Sequence, residues 1–333
     1  MALDVSAMSL PRARMALLAA ARLMLVMVLV LLLVWLLLSL SPMDPLQAHL
    51  GGNLFGVSAP QKLHLLQQLG LDQSVAARLQ AWGAQLLAGD LGFSNLYHQA
   101  VTEVISERLP LSLLLLGVSW LVSLVLGYGL GLVCGLYEGS RLDTWLVRIA
   151  WVMSAIPSFW LGMLMISLLA VSLQWLPVCC AAPIGLSFSE QSAGQMLQHL
   201  LLPILTISLV HMAPIILHTR AKVIDVMASE YVGYSALHQD SRSSIVSFHV
   251  IKNSLVPALI LQCASIAELF GGSMLAETLF SYPGLGQALV KAALAQDTAL
   301  FMAATVISAL LVFGGNALAN LLAIGLTAGD ESL

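Results

Sequence analysis

Apolar positions along this chain gather into six long runs, at 23–40, 111–137, 158–175, 200–217, 255–276 and 298–327, and charge is confined almost entirely to the stretches between them. About 20 apolar residues cross the hydrocarbon core of a bilayer as a helix. Within lipid the backbone must satisfy its own hydrogen bonds, so runs of this kind are helical. The pattern predicts an all-α, polytopic membrane protein with about six transmembrane helices. The first run resembles a secretory signal, but it is long and apolar except for Ser39, and no small-residue cleavage site follows in Ser41-Pro-Met-Asp-Pro45. It reads as a retained anchor.

Between the first two runs the period changes. Leu63, Leu66 and Leu69 share one helical face, and Val75, Leu79, Trp82 and Leu86 repeat the spacing, with Gly70 and Gly92 as punctuation. These are short amphipathic helices of an extramembrane cap with too few core residues to stand alone. Residues 100–110 read as an interfacial helix feeding the second span. That span ends in a glycine-rich stretch in which Gly127 and Gly131 stand four apart, the spacing that lets helices pack closely, within the bundle or against a partner subunit. Pro157 interrupts the apolar pattern just ahead of the third span and predicts a kink there. After the fifth span, Glu277-Thr-Leu-Phe-Ser-Tyr-Pro283-Gly-Leu-Gly286 predicts a tight turn and then a short helix ending near Asp297, a hairpin suited to lining or plugging a pore mouth.

Composition agrees with lipid as the main solvent: 59% of the 333 residues are hydrophobic and 9% charged, where soluble domains carry about a quarter. The net charge of −4 says little about partners and gives no basic surface for nucleic acid; the placement of basic residues says more. With the N-terminus inside, Arg12, Arg14, Arg22, Arg141, Arg148, Arg220, Lys222, Arg242 and Lys252 fall on the cytoplasmic side, and only Lys62, Arg78, Arg108 and Lys291 outside, as the positive-inside rule requires. Cys134 and Cys263 lie in apolar runs as small hydrophobes. The adjacent Cys179 and Cys180 follow Trp175-Leu-Pro177 on the outer side; they lack the spacing of a metal motif, and no metal site is expected.

Catalytic signatures are absent from the sequence. There is no GxxxxGK[ST] phosphate loop, no HExxH, no CxxC and no GxSxG. Ser208, His211 and His218 in the fourth run allow an intramembrane hydrolase on paper, but a polar lining or an interhelical hydrogen bond explains them more simply. Asn316 and Asn320 read as hydrogen-bond glue in the sixth span. Glu268 is the charged residue well inside a span, where insertion costs about 2.5–3.5 kcal/mol, so it faces the bundle interior or a water-filled cavity. Two readings stay open for it: a pathway residue for a cationic or amine-bearing substrate, or a carboxyl hydrogen-bonded between helices.

The segment 220–252 is unlike its surroundings. It carries Arg220, Lys222, Asp225, Glu230, Asp240, Arg242 and Lys252, and two helical stretches, 230–236 and 245–249, flank a polar turn before Asn253 and Pro257 open the next span. A short helix lying across the membrane face and joined to two spans converts a push into helix tilt.

With those residues in view, the chain resembles the membrane permease subunits of bacterial binding-protein-dependent ABC importers, in the peptide/nickel branch, first permease of the pair. The resemblance runs through Pro42-Met-Asp44-Pro45, Leu69-Gly-Leu-Asp72, Gly89-Asp-Leu-Gly-Phe-Ser94, Ile156-Pro-Ser-Phe-Trp-Leu-Gly162, Gln174-Trp-Leu-Pro177, Leu202-Pro203, Glu230-Tyr-Val232, His249, Lys252-Asn253, Pro257, Glu277, Phe280 and Pro283-Gly-Leu-Gly286. It implies a cytoplasmic N-terminus (1–22), a first anchor (23–40), a periplasmic helical cap (41–110), a five-helix permease core (111–328) with a coupling loop (220–254), and a short cytoplasmic tail (329–333). The coupling residues it implies are Glu230, Tyr231, Val232, Ala236, His249, Asn253 and Pro257. Candidate pathway residues are Glu268, Glu277, Pro283, Gly284 and Gly286. The implied assembly sits in the bacterial inner membrane and contains a second homologous permease, two ATP-binding subunits and a periplasmic substrate-binding protein. The permease itself holds no cofactor, ATP being bound by the partners, and is not an enzyme. Two departures stand out: Ala236-Leu-His-Gln239 replaces the family's basic, glycine-ended Arg-Ala-Lys-Gly turn, and the tail ends Gly329-Asp-Glu-Ser-Leu without basic residues. The short connection after Val178 leans toward nickel or metal-chelate members, with di- and oligopeptides as the alternative. A stand-alone secondary transporter or channel is the rival outside the family.

Overall fold

The computed structural model describes residues 9–40, 60–61, 73–183 and 190–330. The leucine stripe at 63, 66 and 69, the Pro42–Pro45 and Leu69–Asp72 motifs and the last three residues of the tail lie outside the described residues. The described chain is helical almost throughout. It runs α1 (Ser9–Ser39), α2 (Val75–Leu87), a two-residue-stranded hairpin of β1 (Phe93–Ser94) and β2 (Gln99–Ala100), α3 (Val101–Leu136), α4 (Arg141–Ala155), α5 (Ser158–Met165) with a π-helical continuation Ile166–Ser172, and α6 (Ala193–Met227). Then follow α7 (Glu230–Leu237), α8 (Arg242–Ile245), a π-helical turn Val246–Ile251, α9 (Lys252–Ala264), α10 (Ile266–Leu279), α11 (Leu285–Leu294) and α12 (Thr298–Asp330).

Among the described residues, four helical stretches are long and apolar enough to cross a membrane: Val101–Leu136, Ala193–Met227, Arg242–Ala264 and Thr298–Ala319. Two further helical stretches, Arg141–Ala155 and Ser158–Ser172, pass the same test only as a pair and meet at 106°, the form of a broken span or of a re-entrant loop. The sequence pattern counted only the second arm, because Arg141, Asp143 and Arg148 mask the apolar character of α4. Pro157 causes the break: it pushes Ile156 into the extended region, at φ −85° and ψ 127°, and starts α5 as its N-cap. The expected interfacial helix at 100–110 is instead fused to the second span, since α3 runs unbroken through Pro110. The expected fifth span, 255–276, is split at Ser265, and helix already begins at Arg242 within the charged segment.

The chain forms two compact units, 1–107 with 288–313, and 108–287 with 314–333. In the first, Leu79, Trp82 and Leu86 of α2 pack with Trp35 of α1 and Met302 of α12, and the Arg78 guanidinium lies 5.9 Å from the Trp35 ring centre. Asp297 caps α12 and gathers the hairpin: it accepts hydrogen bonds from Ser94 Oγ at 2.6 Å, the Leu96 amide at 3.0 Å and the Leu300 amide at 3.2 Å. In the second unit α6 is the central element, packing against α4, α5, α9 and α10. A full capping box, Ser192 with Gln195, starts it. The glycine stripe of α3 lies flat on α6: a Cβ at Gly131 would sit 2.7 Å from Thr219 Cβ and 2.8 Å from the Ile216 carbonyl. The spacing read from the sequence is thus a helix contact within one subunit.

The α7–α9 elbow and the Glu277 hairpin as candidate functional site

Arg220, the first charge of the 220–252 segment, lies inside α6 and is neutralised there. Its Nε and Nη2 donate to the two Asp143 oxygens at 2.6 and 2.8 Å, a bidentate pair that ties the end of α6 to the start of α4. Asp143 also accepts the Gly139 amide at 2.9 Å. Sequence reading missed this pair, since its partners stand 77 residues apart.

Beyond α6 the chain folds into an elbow. Val232 of α7 is buried with Val223 and Val226 of α6, Ile245 of α8 and Val250, so a small apolar core locks both arms to α6. The Ser235 hydroxyl and His249 Nε2 stand 3.1 Å apart, the Tyr231 and His249 rings lie 5.7 Å apart, and Asn253 Nδ2 donates to the His249 carbonyl at 2.7 Å. Arg242 donates to the Leu136 carbonyl at 3.2 Å and lies 5.3 Å from the Tyr137 ring centre, fastening the elbow to the carbonyl end of α3. Four of the seven candidate coupling residues, Tyr231, Val232, His249 and Asn253, therefore meet in one body. Glu230 is exposed in the first turn of α7, Ala236 belongs to the same helix, and Pro257 lies farther along, inside α9.

The outer face of the elbow is apolar and aromatic, with Tyr231, Tyr234, Leu237 and Phe248 all exposed and Leu237 83% so. The turn that lacks the glycine still closes as a glycine turn would. Gln239 takes the left-handed conformation, φ 62°, and the Asp240 amide reaches back to the Ser235 carbonyl at 3.2 Å.

The second constellation surrounds Glu277, fully buried near the end of α10. Its oxygens accept the Ser112 hydroxyl at 2.6 Å and the Gln287 amide at 3.0 Å, while Ser112 Oγ accepts the Leu285 amide at 2.7 Å. Only a residue without a Cβ fits at 284, where that atom would strike the Glu277 carboxylate and Ser112, and at 286, where it would lie 2.8 Å from Met274 Cα. Both glycines serve close approach. The left-handed turn residue is Ser281, φ 51°, which closes α10 through the Tyr282 amide and Glu277 carbonyl at 2.8 Å. Tyr282 is buried and donates to the Leu111 carbonyl at 3.1 Å; burial, and secondarily the Glu277 charge, hold its phenol above the ordinary range.

Glu277, Pro283, Gly284 and Gly286 are thus one hairpin, with Ser112 as the member that sequence reading missed. Its one signal was a hydroxyl directly after the Pro110-Leu step at the head of an apolar run. Glu268 lies apart from them, about 13 Å along α10, and is exposed on the subunit surface beside Ala264 and Ala267. His211 and Ser208 are buried in α6, Ser208 donating to the Ser119 carbonyl at 3.2 Å, an interhelical hydrogen bond. Among the described residues no cluster of His, Cys, Asp and Glu has the makings of a metal site.

Residues 127–326, from the glycine stripe of α3 through the elbow and the hairpin to α12, match the family described as "Binding-protein-dependent transport system inner membrane component". The chain belongs to this family. It is similar to the oligopeptide transport system permease protein AppB of Bacillus subtilis (strain 168), 28% identical over 289 residues, 86% of this chain and 90% of that protein. It is also similar to the "Putative peptide transport system permease protein BAB2_1050" of Brucella abortus (strain 2308), 32% identical over 263 residues, 79% of this chain and 81% of the other. This is a permease component of a binding-protein-dependent ABC importer, a multi-pass protein of the bacterial inner membrane, and a transport protein rather than an enzyme.

Proposed function

We propose that this permease forms half of the translocation pore of a peptide importer and receives its driving force through the α7–α9 elbow. The observation that carries the coupling role is the pairing of an anchored inner face with a bare outer one. Val232, Ile245 and Val250 fix the elbow to α6, and among the described residues Tyr231, Tyr234, Leu237 and Phe248 are left exposed on it. Such a face suits a groove on an ATP-binding subunit, and rigid attachment to α6 and α9 turns movement of that subunit into tilt of two spans. ATP is bound by those partners, since this sequence carries no phosphate loop. The other half of the pore is a homologous permease, and a periplasmic binding protein delivers the substrate.

Di- and oligopeptides are the favoured substrate class, supported by the similarity to permeases named for peptide and oligopeptide transport. Metal chelates remain the competing substrate in an uptake assay. Glu268 is assigned to the pore side of α10: a carboxylate exposed on an isolated subunit within the membrane requires water or a polar partner, and the pore between two permeases provides both. The coupling assignment is tested by deleting residues 234–244, a deletion that removes the exposed tip. The expected result is loss of the ATP-binding subunits on purification with the permease still inserted; unchanged association after the deletion rejects the elbow as the docking element.

A further inference from the structure

Two cysteines that the transport mechanism does not use sit against the Glu277 hairpin. Cys179 and Cys180 are joined as a disulfide between neighbours, closing a small ring through their shared peptide bond. Cys179 is exposed, and Cys180 is held in the left-handed region at φ 75°, a conformation unfavourable for any residue with a Cβ. That conformation aims the Cys180 amide at the Phe280 carbonyl, 2.7 Å away, at the C-cap of α10 directly before the turn that encloses Glu277. His199 Nδ1 stands 3.2 and 3.1 Å from the Cys179 and Cys180 carbonyls; both are acceptors, so Nδ1 carries the proton and binds the turn to α6. Ala181, next in the chain, is buried with Phe280 and Tyr282. Two attachments therefore hold the cystine turn on the hairpin and a third ties it to α6, and one of the two on the hairpin depends on the geometry of Cys180.

We propose that Cys179 and Cys180 form a redox latch, whose disulfide fixes the turn on the hairpin and whose reduction releases the Cys180 amide from Phe280. The inference rests on the reading under Proposed function: with the elbow on the side of the ATP-binding subunits, this turn, at the other end of the spanning helix α6, lies in the periplasm, where disulfides persist. Oxidation is thiol–disulfide exchange with a protein or small-molecule disulfide. The thiolate of one cysteine attacks the incoming S–S bond and expels one thiol, and the second cysteine then attacks the mixed disulfide and expels the other. The two cysteines lose two electrons and two protons, one S–S bond forms in the chain, and one breaks in the donor, which leaves as two thiols. A dithiol reverses the sequence, beginning at exposed Cys179. Cys134 and Cys263 are buried and take no part.

The test uses the full chain with its copurifying partners in lipid nanodiscs. Non-reducing peptide mass spectrometry is expected to find the 179–180 peptide two hydrogens light and closed to maleimide until a phosphine reductant is added. Amide exchange at position 180 is expected to quicken about fivefold on reduction, the effect of losing one hydrogen bond. Cys179→Ser with Cys180→Ser is expected to exchange at the fast rate with or without reductant. Free thiols in protein prepared without reductant, or exchange unchanged by reduction, overturns the latch. Orientation is read separately, by an impermeant maleimide on reduced spheroplasts. Labelling there supports the periplasmic placement; labelling only in inverted vesicles overturns it, a failure distinct from unchanged exchange.

Discussion

Replacing Ser112 by alanine removes a hydroxyl that works in two directions. Its Oγ donates to Glu277 at 2.6 Å and accepts from the Leu285 amide at 2.7 Å, and both partners are buried. The first bond serves a carboxylate and contributes about 1.5–3 kcal/mol; the second, once lost, leaves an orphaned buried N–H that costs about 1–3 kcal/mol. Limited relaxation of the hairpin offsets part of the sum, so the expected destabilisation is roughly 2–5 kcal/mol. Gly284 and Gly286 leave no room for a larger side chain to replace the lost contacts. The assay is thermal unfolding of the purified permease at one fixed scan rate, which keeps irreversible steps comparable. Ser112→Ala is expected to lower the midpoint by about 5 °C or more. A double-mutant cycle with Glu277→Ala is expected to show coupling of about 1 kcal/mol or more, because the two side chains are in direct contact. A Ser112→Ala midpoint within about 1 °C of the parent, with additive effects in the cycle, refutes the account of the hairpin as a clasp around one carboxylate.

Two further changes probe the elbow and the pathway. Gln239→Gly relieves a left-handed residue at the end of α7 and is expected to stabilise that turn by about 1 kcal/mol, read as slower amide exchange at Asp240; exchange that is unchanged or faster contradicts the assignment of Gln239 to the closing position. Glu268→Gln is expected to reduce uptake of cationic peptides roughly tenfold, about 1.4 kcal/mol, while sparing peptides without basic side chains; an equal effect on both, or none, removes Glu268 from the pathway.

The parts of the fold that could be read from sequence are those whose physics is local. Unbroken Leu and Val runs mark α3, α6 and α12 because lipid burial writes itself as composition, and Pro157 marks the bend because its ring acts on the residue beside it. What eluded reading depends on partners distant in sequence. Arg220 looked like the start of the charged coupling segment, yet it lies within the spanning helix α6, paired with Asp143. The hairpin glycines looked like turn formers, yet Ser281 makes the turn while Gly284 and Gly286 make room for Glu277. Gln239 stands where the family has a helix-ending glycine, and the Asp240 amide and Ser235 carbonyl close the helix all the same. Ser112 gave almost no signal, because both of its partners, the Glu277 carboxylate and the Leu285 amide, are brought near only by folding. The elbow stood out as a charge pattern, whereas its exposed aromatic face became visible only once Val232 was seen buried on the opposite side.

The most direct test of the importer account is purification of this permease from its native membrane in mild detergent, with identification of what remains bound and measurement of ATP hydrolysis. The account predicts a second permease and ATP-binding subunits in the complex, and ATPase activity that rises when the cognate binding protein and peptide are added. A solitary chain that still transports in vesicles without ATP, driven by an ion gradient, contradicts it.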